Sequence, residues 1–135
     1  MSENCVFCKI INKEIPSFKI YEDEFTYAFL DISKDVYGHT LVIPKKHTTN
    51  ILDCDEETLA NVIKTVKKVA NHYVRNCGYE GCNILNANDK CSGQSVFHLH
   101  FHIIPRKTDD GIDAWPKFNG TEEELEKVCE KLKIK

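Results

Sequence analysis

Three patterns of apolar and polar residues organise the chain. The longest runs through Leu59, Val62, Ile63, Val66, Val69, Ala70, Tyr73 and Val74, at steps of mostly three and four. That spacing makes one apolar stripe on an α-helix. Asp53 with Glu56 marks its start and Gly78 its stop. The second pattern is a set of short runs rich in branched and aromatic residues. These predict strands at 17–22, 25–31, 39–44, 82–86 and 97–105, the first two joined by an acidic turn at Glu22-Asp23-Glu24. Residues 5–11 read as a short helical opening, closed by Lys13-Glu14-Ile15-Pro16. Loops follow at 31–39, 86–93 and 108–120. Thr121 with Glu124 is a capping-box pattern before an amphipathic C-terminal helix on Leu125, Val128 and Leu132. Strands in a run around one main helix predict an α+β fold. Its antiparallel sheet would be five-stranded, with one long helix and short N- and C-terminal helices.

The third pattern lies in the last strand. In Phe97-His98-Leu99-His100-Phe101-His102-Ile103-Ile104, three histidines occupy every second position. A strand turns them to one face, with Phe97, Leu99, Phe101 and Ile103 on the other. Neighbouring imidazoles would stand roughly 7 Å apart. Such a face buries its apolar side and offers three imidazoles to a cavity.

Composition narrows the partners. The chain has 135 residues, 41% hydrophobic and 29% charged, with a net charge of −3. This suits one soluble domain, residues 1–135, with no basic stripe for duplex nucleic acid. The core is expected at about 5–106, with a C-terminal loop and helix at 107–135. No apolar leader follows Met1 and no run reaches membrane-spanning length, so a cytoplasmic protein with no membrane partner is expected. The seven cysteines, without a leader, read mostly as reduced small hydrophobes. Cys5 and Cys8 differ, because C-x-x-C is a metal or redox spacing. A redox role fits poorly, since no strand precedes the pair.

The histidine face admits three readings. It could bind zinc, as H-x-H pairs do in some hydrolases. It could carry covalent catalysis, one imidazole attacking while its neighbours orient it and bind anionic oxygens. It could also be a half-exposed surface strand. The preceding Ser92-Gly93-Gln94-Ser95 is a small-residue turn able to aim backbone N–H groups at an anion. An anion site beside a nucleophilic imidazole favours attack on phosphorus.

His98-Leu99-His100-Phe101-His102-Ile103-Ile104 resembles the signature of the histidine triad (HIT) superfamily, in which three histidines alternate with apolar residues. Phe7-Cys8-Lys9-Ile10-Ile11, Glu14-Ile15-Pro16, Phe29-Leu30-Asp31-Ile32 and His39-Thr40-Leu41-Val42-Ile43-Pro44-Lys45-Lys46-His47 are similar to its Hint-type branch, and Gly93-Gln94-Ser95 stands in place before the triad. The resemblance implies that His100 attacks the α-phosphate and carries a nucleotidyl group. It implies that His102 bonds a phosphate oxygen, that Gly93 and Ser95 hold others, and that Gln94 lies near the leaving group. His39 would orient the nucleophile from behind. Asp31 would accept from the ribose hydroxyls, and Val6, Phe7, Ile10, Phe29, Ile32 and Leu41 would form a slot for the base. The Hint-type loop also carries a phosphate-reaching asparagine. An ungapped count puts Ala87 there, between Asn86 and Asn88; Asn86, at the strand end, is the better held.

HIT proteins of bacterial type that resemble this chain complete the C-x-x-C pair with two histidines, here His47 and His98. Four such ligands close a tetrahedral shell, so one structural zinc per chain is implied, and no catalytic metal. The implied activity is a nucleotide phosphoramidate or nucleotidyl hydrolase that releases AMP or GMP through a nucleotidyl-histidine. Dinucleoside polyphosphate hydrolysis, nucleotidyl transfer and low-activity purine-nucleotide binding are the alternatives. A homodimer is also implied, with the helix at 56–73 near its interface and Trp115 reaching the partner's site.

Overall fold

The computed structural model describes residues 4–135. Its elements are α1 (Val6–Ile11), β1 (Lys19–Glu22), β2 (Thr26–Leu30), β3 (Thr40–Pro44), α2 (Glu56–Asn76), β4 (Gly81–Leu85), β5 (Phe101–Arg106) and α3 (Leu125–Leu132). The strands form one antiparallel sheet in the order β1-β2-β3-β5-β4. The predicted α+β architecture is the observed one.

Alternation along the strands sends side chains to two cores. Ala28, Val42, Leu99, Phe101 and Ile103 pack under Val62, Val66, Val69 and Tyr73 of α2. Tyr27, Phe29, Leu41 and Ile43 face the other way and pack with Phe7, Cys8 and Ile10 of α1. Val42, Val62, Leu99 and Ile103 are fully buried, each worth roughly 1.5–3 kcal/mol of transfer free energy. Two hydroxyl pairs cross the α2 core: Thr26 to Thr65 at 2.6 Å and Thr40 to Tyr73 at 2.6 Å. They let the threonines of β2 and β3 be buried without an unpaired oxygen.

Three local expectations are corrected. The long helix is capped by Asp55, whose carboxylate accepts from the Thr58 N–H. Asp53 instead closes a 3-10 turn at Ile51–Asp53, as the capping-box partner of Asn50. The Thr121–Glu124 box does not form: α3 starts at Leu125 with Glu124 as a cap that makes no side-chain bond. The histidine-bearing strand, β5, starts at Phe101, four residues later than predicted. Its ladder with β3 stops because Pro44 has no N–H to extend it, and the Pro44 carbonyl accepts from His98 Nε2 at 2.8 Å. The Leu99 N–H turns instead to the Thr48 carbonyl at 2.7 Å. Alternation survives this departure from strand pairing for Leu99, Phe101 and Ile103, but Phe97 is exposed rather than buried.

Loop 31–39 brings its residues down onto β5. Gly38 has φ +83°, and a Cβ there would stand 3.1 Å from the Pro105 side chain. Only glycine takes that backbone shape at that distance without strain. Among the described residues no helix is long and apolar enough to cross a membrane. The segment beyond Ile112 contributes no buried residue; on α3 Leu125 and Leu132 are exposed and Val128 is half-buried.

Candidate active site and metal cluster

His100 is held by its own strand. Its Nδ1 lies 2.8 Å from the His98 carbonyl oxygen, which can only accept. Nδ1 therefore carries the proton, and Nε2 keeps its lone pair. Burial pushes His100 below the usual histidine range, against the smaller opposing effects of the His98 carbonyl and Asp31. A neutral imidazole with a fixed tautomer and one available nitrogen is the form needed for nucleophilic attack. Asn86 braces the same residue: its Nδ2 donates to the His100 carbonyl at 3.0 Å.

His39 stands behind His102, not behind His100. Its Nε2 lies 2.8 Å from His102 Nδ1, and its Nδ1 lies 2.7 Å from Asp35 Oδ1. Asp31 Oδ2 is 3.7 Å from the same Nε2. Burial, then His100 and His39, push His102 down to about 4. The rings of His100 and His102 are 5.0 Å apart at their centroids, closer than the strand repeat because they tilt together. Asp31, His39 and His102 each offer a ligand-type atom to one small volume. The 2.8 Å contact between the two ring nitrogens makes that group a hydrogen-bonded pair.

The loop before the triad behaves differently from expectation at one position. Gln94 is buried and uses its whole amide internally. Its Oε1 accepts from Asn50 Nδ2 and the Asp89 N–H, while its Nε2 donates to the Thr49 and Val96 carbonyls. Four bonds exhaust that side chain. It ties loop 88–96 to loop 48–50, and no amide bond is left over for a leaving group in this arrangement. Gly93 takes a left-handed conformation after the 3-10 turn Lys90–Ser92, and Ser95 is exposed beside it.

The expected base slot divides. Phe7, Ile10, Phe29 and Leu41 are interior residues of the α1 core. Phe7 meets His100 edge-on at 5.2 Å and Phe29 at 5.5 Å, so it packs between the His100 ring and the α1 core. Val6 is 39% exposed and Ile32 80% exposed; these two offer surface to a ligand. Two cavities meet at Val36, His39 and Ile112. The smaller, about 400 Å³, is lined by His102, Asn86 and Ser92; the larger, about 1180 Å³, is lined by Asp31 and Leu30 at one end.

Four ligand-type side chains gather at the start of the triad. Cys5 Sγ lies 3.2 Å from His98 Nδ1, Cys8 Sγ 3.3 Å from His47 Nδ1, and Cys8 Sγ 3.5 Å from His98 Nδ1. All four ligand atoms lie within 4.8 Å of one another. A tetrahedral zinc with its usual bond lengths puts sulfur and nitrogen about 3.5 Å apart. His98 Nε2 donates to Pro44, which leaves Nδ1 its lone pair, as a metal-bound histidine requires. The Cys8 N–H donates to Cys5 Sγ at 3.3 Å, a contact suited to a thiolate. The donor set and its geometry fit zinc.

The HIT domain family model matches residues 12–109. This chain belongs to the HIT family. An adenosine 5'-monophosphoramidase of Saccharomyces cerevisiae is 38% identical to it over 97% of this chain and 82% of that protein. The crystal structure of a HIT family member from Bacillus subtilis is 44% identical, with TM-score 0.83 over 96% of this chain and 95% of that one. A zinc-bound histidine triad protein from Mycobacterium smegmatis is 38% identical, with TM-score 0.78 over 82% of this chain and 81% of that one.

Within this HIT protein the triad is thus three separate environments. His98 faces cysteine sulfur, His100 keeps a free nitrogen, and His102 faces His39. Sequence reasoning missed two contributors. Asn50 was hidden because it acts through Gln94, a partner 44 positions away. Asp35 sits four residues before His39 in a loop with no strand or helix period to place it. A carboxylate close in sequence to a motif histidine was the only available signal.

Proposed function

We propose that this HIT protein hydrolyses nucleotide derivatives at the α-phosphorus, with purine nucleoside phosphoramidates as substrates and a nucleotidyl group carried on His100. The observation that carries the reading is the 2.8 Å bond from His100 Nδ1 to the His98 carbonyl, which leaves Nε2 unprotonated. In the first step Nε2 attacks phosphorus, and the phosphorus–nitrogen bond breaks with its electron pair leaving on the amine nitrogen, which takes up a proton from solvent. In the second step water attacks phosphorus, the bond to Nε2 breaks, and nucleoside monophosphate is released. Asp31 receives the ribose hydroxyls, Val6 and Ile32 flank the base, and Phe7, Ile10, Phe29 and Leu41 shape the floor beneath it. Ser95 and the backbone N–H groups at Gly93 offer donors to the phosphate oxygens, where donors placed in advance are worth most, and His102 stands beside them. The yeast relative's name as an adenosine 5'-monophosphoramidase supports this substrate class.

Cys5, Cys8, His47 and His98 would hold one zinc per chain. Bound there, the ion supplies cross-linking of α1 to the triad segment and no open coordination position for chemistry. We also propose a homodimer. The sheet leaves β4 as an edge strand, and Ile84 on it and Ile63 on α2 are exposed apolar residues of the kind a second copy would cover. No disulfide links any of the seven cysteines among the described residues, which suits a reducing compartment such as the cytoplasm.

The test is release of AMP from adenosine 5'-phosphoramidate, compared with diadenosine polyphosphates. Faster turnover of the phosphoramidate supports the reading. Preference for the polyphosphate, or AMP binding without turnover, would replace it.

A further inference from the structure

The tautomers of the second histidine pair follow from one carboxylate. Asp35 Oδ1 can only accept, so His39 Nδ1, 2.7 Å away, carries a proton. In the form of His39 that carries its one proton at Nδ1, Nε2 has only a lone pair. His102 Nδ1, 2.8 Å from it, must donate. That leaves His102 Nε2 as an acceptor, and no described residue bonds it. His102 lines the 400 Å³ cavity beside Asn86 and Ser92. The chain Asp35, His39, His102 thus ends in an imidazole nitrogen with no bonding partner among the described residues, on a ring whose centroid stands 5.0 Å from that of His100.

We propose that Asp35 is a positioning residue which, through His39, fixes His102 as the proton acceptor for the attacking water. This rests on the nucleotidyl-His100 reading above. In the hydrolytic step the water oxygen bonds to phosphorus, and the phosphorus–nitrogen bond breaks with its electron pair returning to His100 Nε2. The water proton passes to His102 Nε2. The positive charge so formed is met by the Nδ1–H bond to His39 and, beyond it, by the Asp35 carboxylate. Asp31, 3.7 Å from His39 Nε2, adds a second negative charge, while His100 beside His102 opposes it. Asp113 lines the same cavity.

Asp35 is suited to this and to little else. Its side chain is 56% exposed, so as a surface ion pair it would add little stability. Yet its partner His39 is buried, with one orientation and two bonded nitrogens. The backbone N–H of Val36 also donates to Asp35 Oδ1 at 2.8 Å, which holds the carboxylate against rotation.

The test uses the full chain and Asp35→Asn, with Asp35→Glu as the variant that keeps the carboxylate. In ¹⁵N-labelled free protein, the His39 Nδ1 proton and the His102 Nδ1 proton are expected in wild type. In Asp35→Asn the amide can donate to His39, and the tautomer mixture shifts. On adenosine 5'-phosphoramidate, kcat is expected to fall about 10- to 100-fold, the scale of a mis-set proton acceptor. KM should stay within about twofold, and Asp35→Glu should recover part of kcat. Wild-type kcat in Asp35→Asn, or a fall in kcat with both tautomers unchanged, would overturn the proposal. If wild type itself does not turn over the phosphoramidate, the functional reading fails instead. The ¹⁵N spectra still decide whether Asp35 sets the two tautomers.

Discussion

His98 holds His100 through its backbone carbonyl at 2.8 Å while its own imidazole faces Cys5 and Cys8 sulfur. One residue therefore joins the Cys/His cluster to the proposed nucleophile. Anything that moves His98 also moves the acceptor that fixes the tautomer of His100.

This coupling makes the cluster measurable twice. Purified protein should contain one zinc per chain by elemental analysis. Cys8→Ser should lose most of it and melt about 10 °C lower, as expected for roughly 2–3 kcal/mol in a domain of this size. Its kcat should fall less than that of any His100 variant. Full zinc-free stability in wild type would contradict the assignment.

Gln94 gives a prediction against its family-based expectation. Because its four amide bonds join loops 88–96 and 48–50, Gln94→Ala leaves two carbonyls and two donors to find other partners. A loss of about 2–4 kcal/mol in chemical denaturation is expected. Rates on substrates with good and poor leaving groups should fall by the same factor. A selective fall for poor leaving groups, with stability intact, would return Gln94 to the reacting atoms.

How much of this was legible beforehand depended on range. The stripe on α2 and the alternation of Leu99, Phe101 and Ile103 needed only local periodicity, and the core under α2 follows from it. The separate environments of the three histidines came from motif resemblance, since alternation alone puts them on one face. Gln94 was not legible because its partners lie in a loop 45 residues away, at Thr49 and Asn50. The start of β5 was missed because the apolar alternation continues through residues whose backbone bonds go to Thr48 and not to a strand. Asp53 was assigned to the wrong cap because two acidic residues stand just before α2: Asp55 at its N-cap, and Asp53 two positions earlier at the end of the 3-10 turn.

Asp53 also sets an acid limit on stability. The Asn50 backbone N–H bond is the largest cause that lowers its carboxyl to about 2, from an ordinary 3.8, with the Thr49 N–H and Thr48 hydroxyl adding to it against a smaller opposing cost of burial. The folded value is the lower one, so the unfolded chain binds the proton more readily. The stabilisation is fully present above about pH 4 and is lost as pH falls toward 2. Urea midpoints of wild type and Asp53→Asn should therefore differ at pH 6 and converge near pH 2. Parallel curves across that range would contradict the assignment.

The central claim is a covalent link between phosphorus and His100 Nε2. Each in-line displacement inverts phosphorus, so two in succession retain its configuration. The decisive measurement is hydrolysis of a single diastereomer of an adenosine phosphorothioamidate in ¹⁸O-labelled water, with the configuration of the product read by ³¹P NMR. Net retention is the result expected. Net inversion would mean that water attacks directly and that His100 is not the nucleophile.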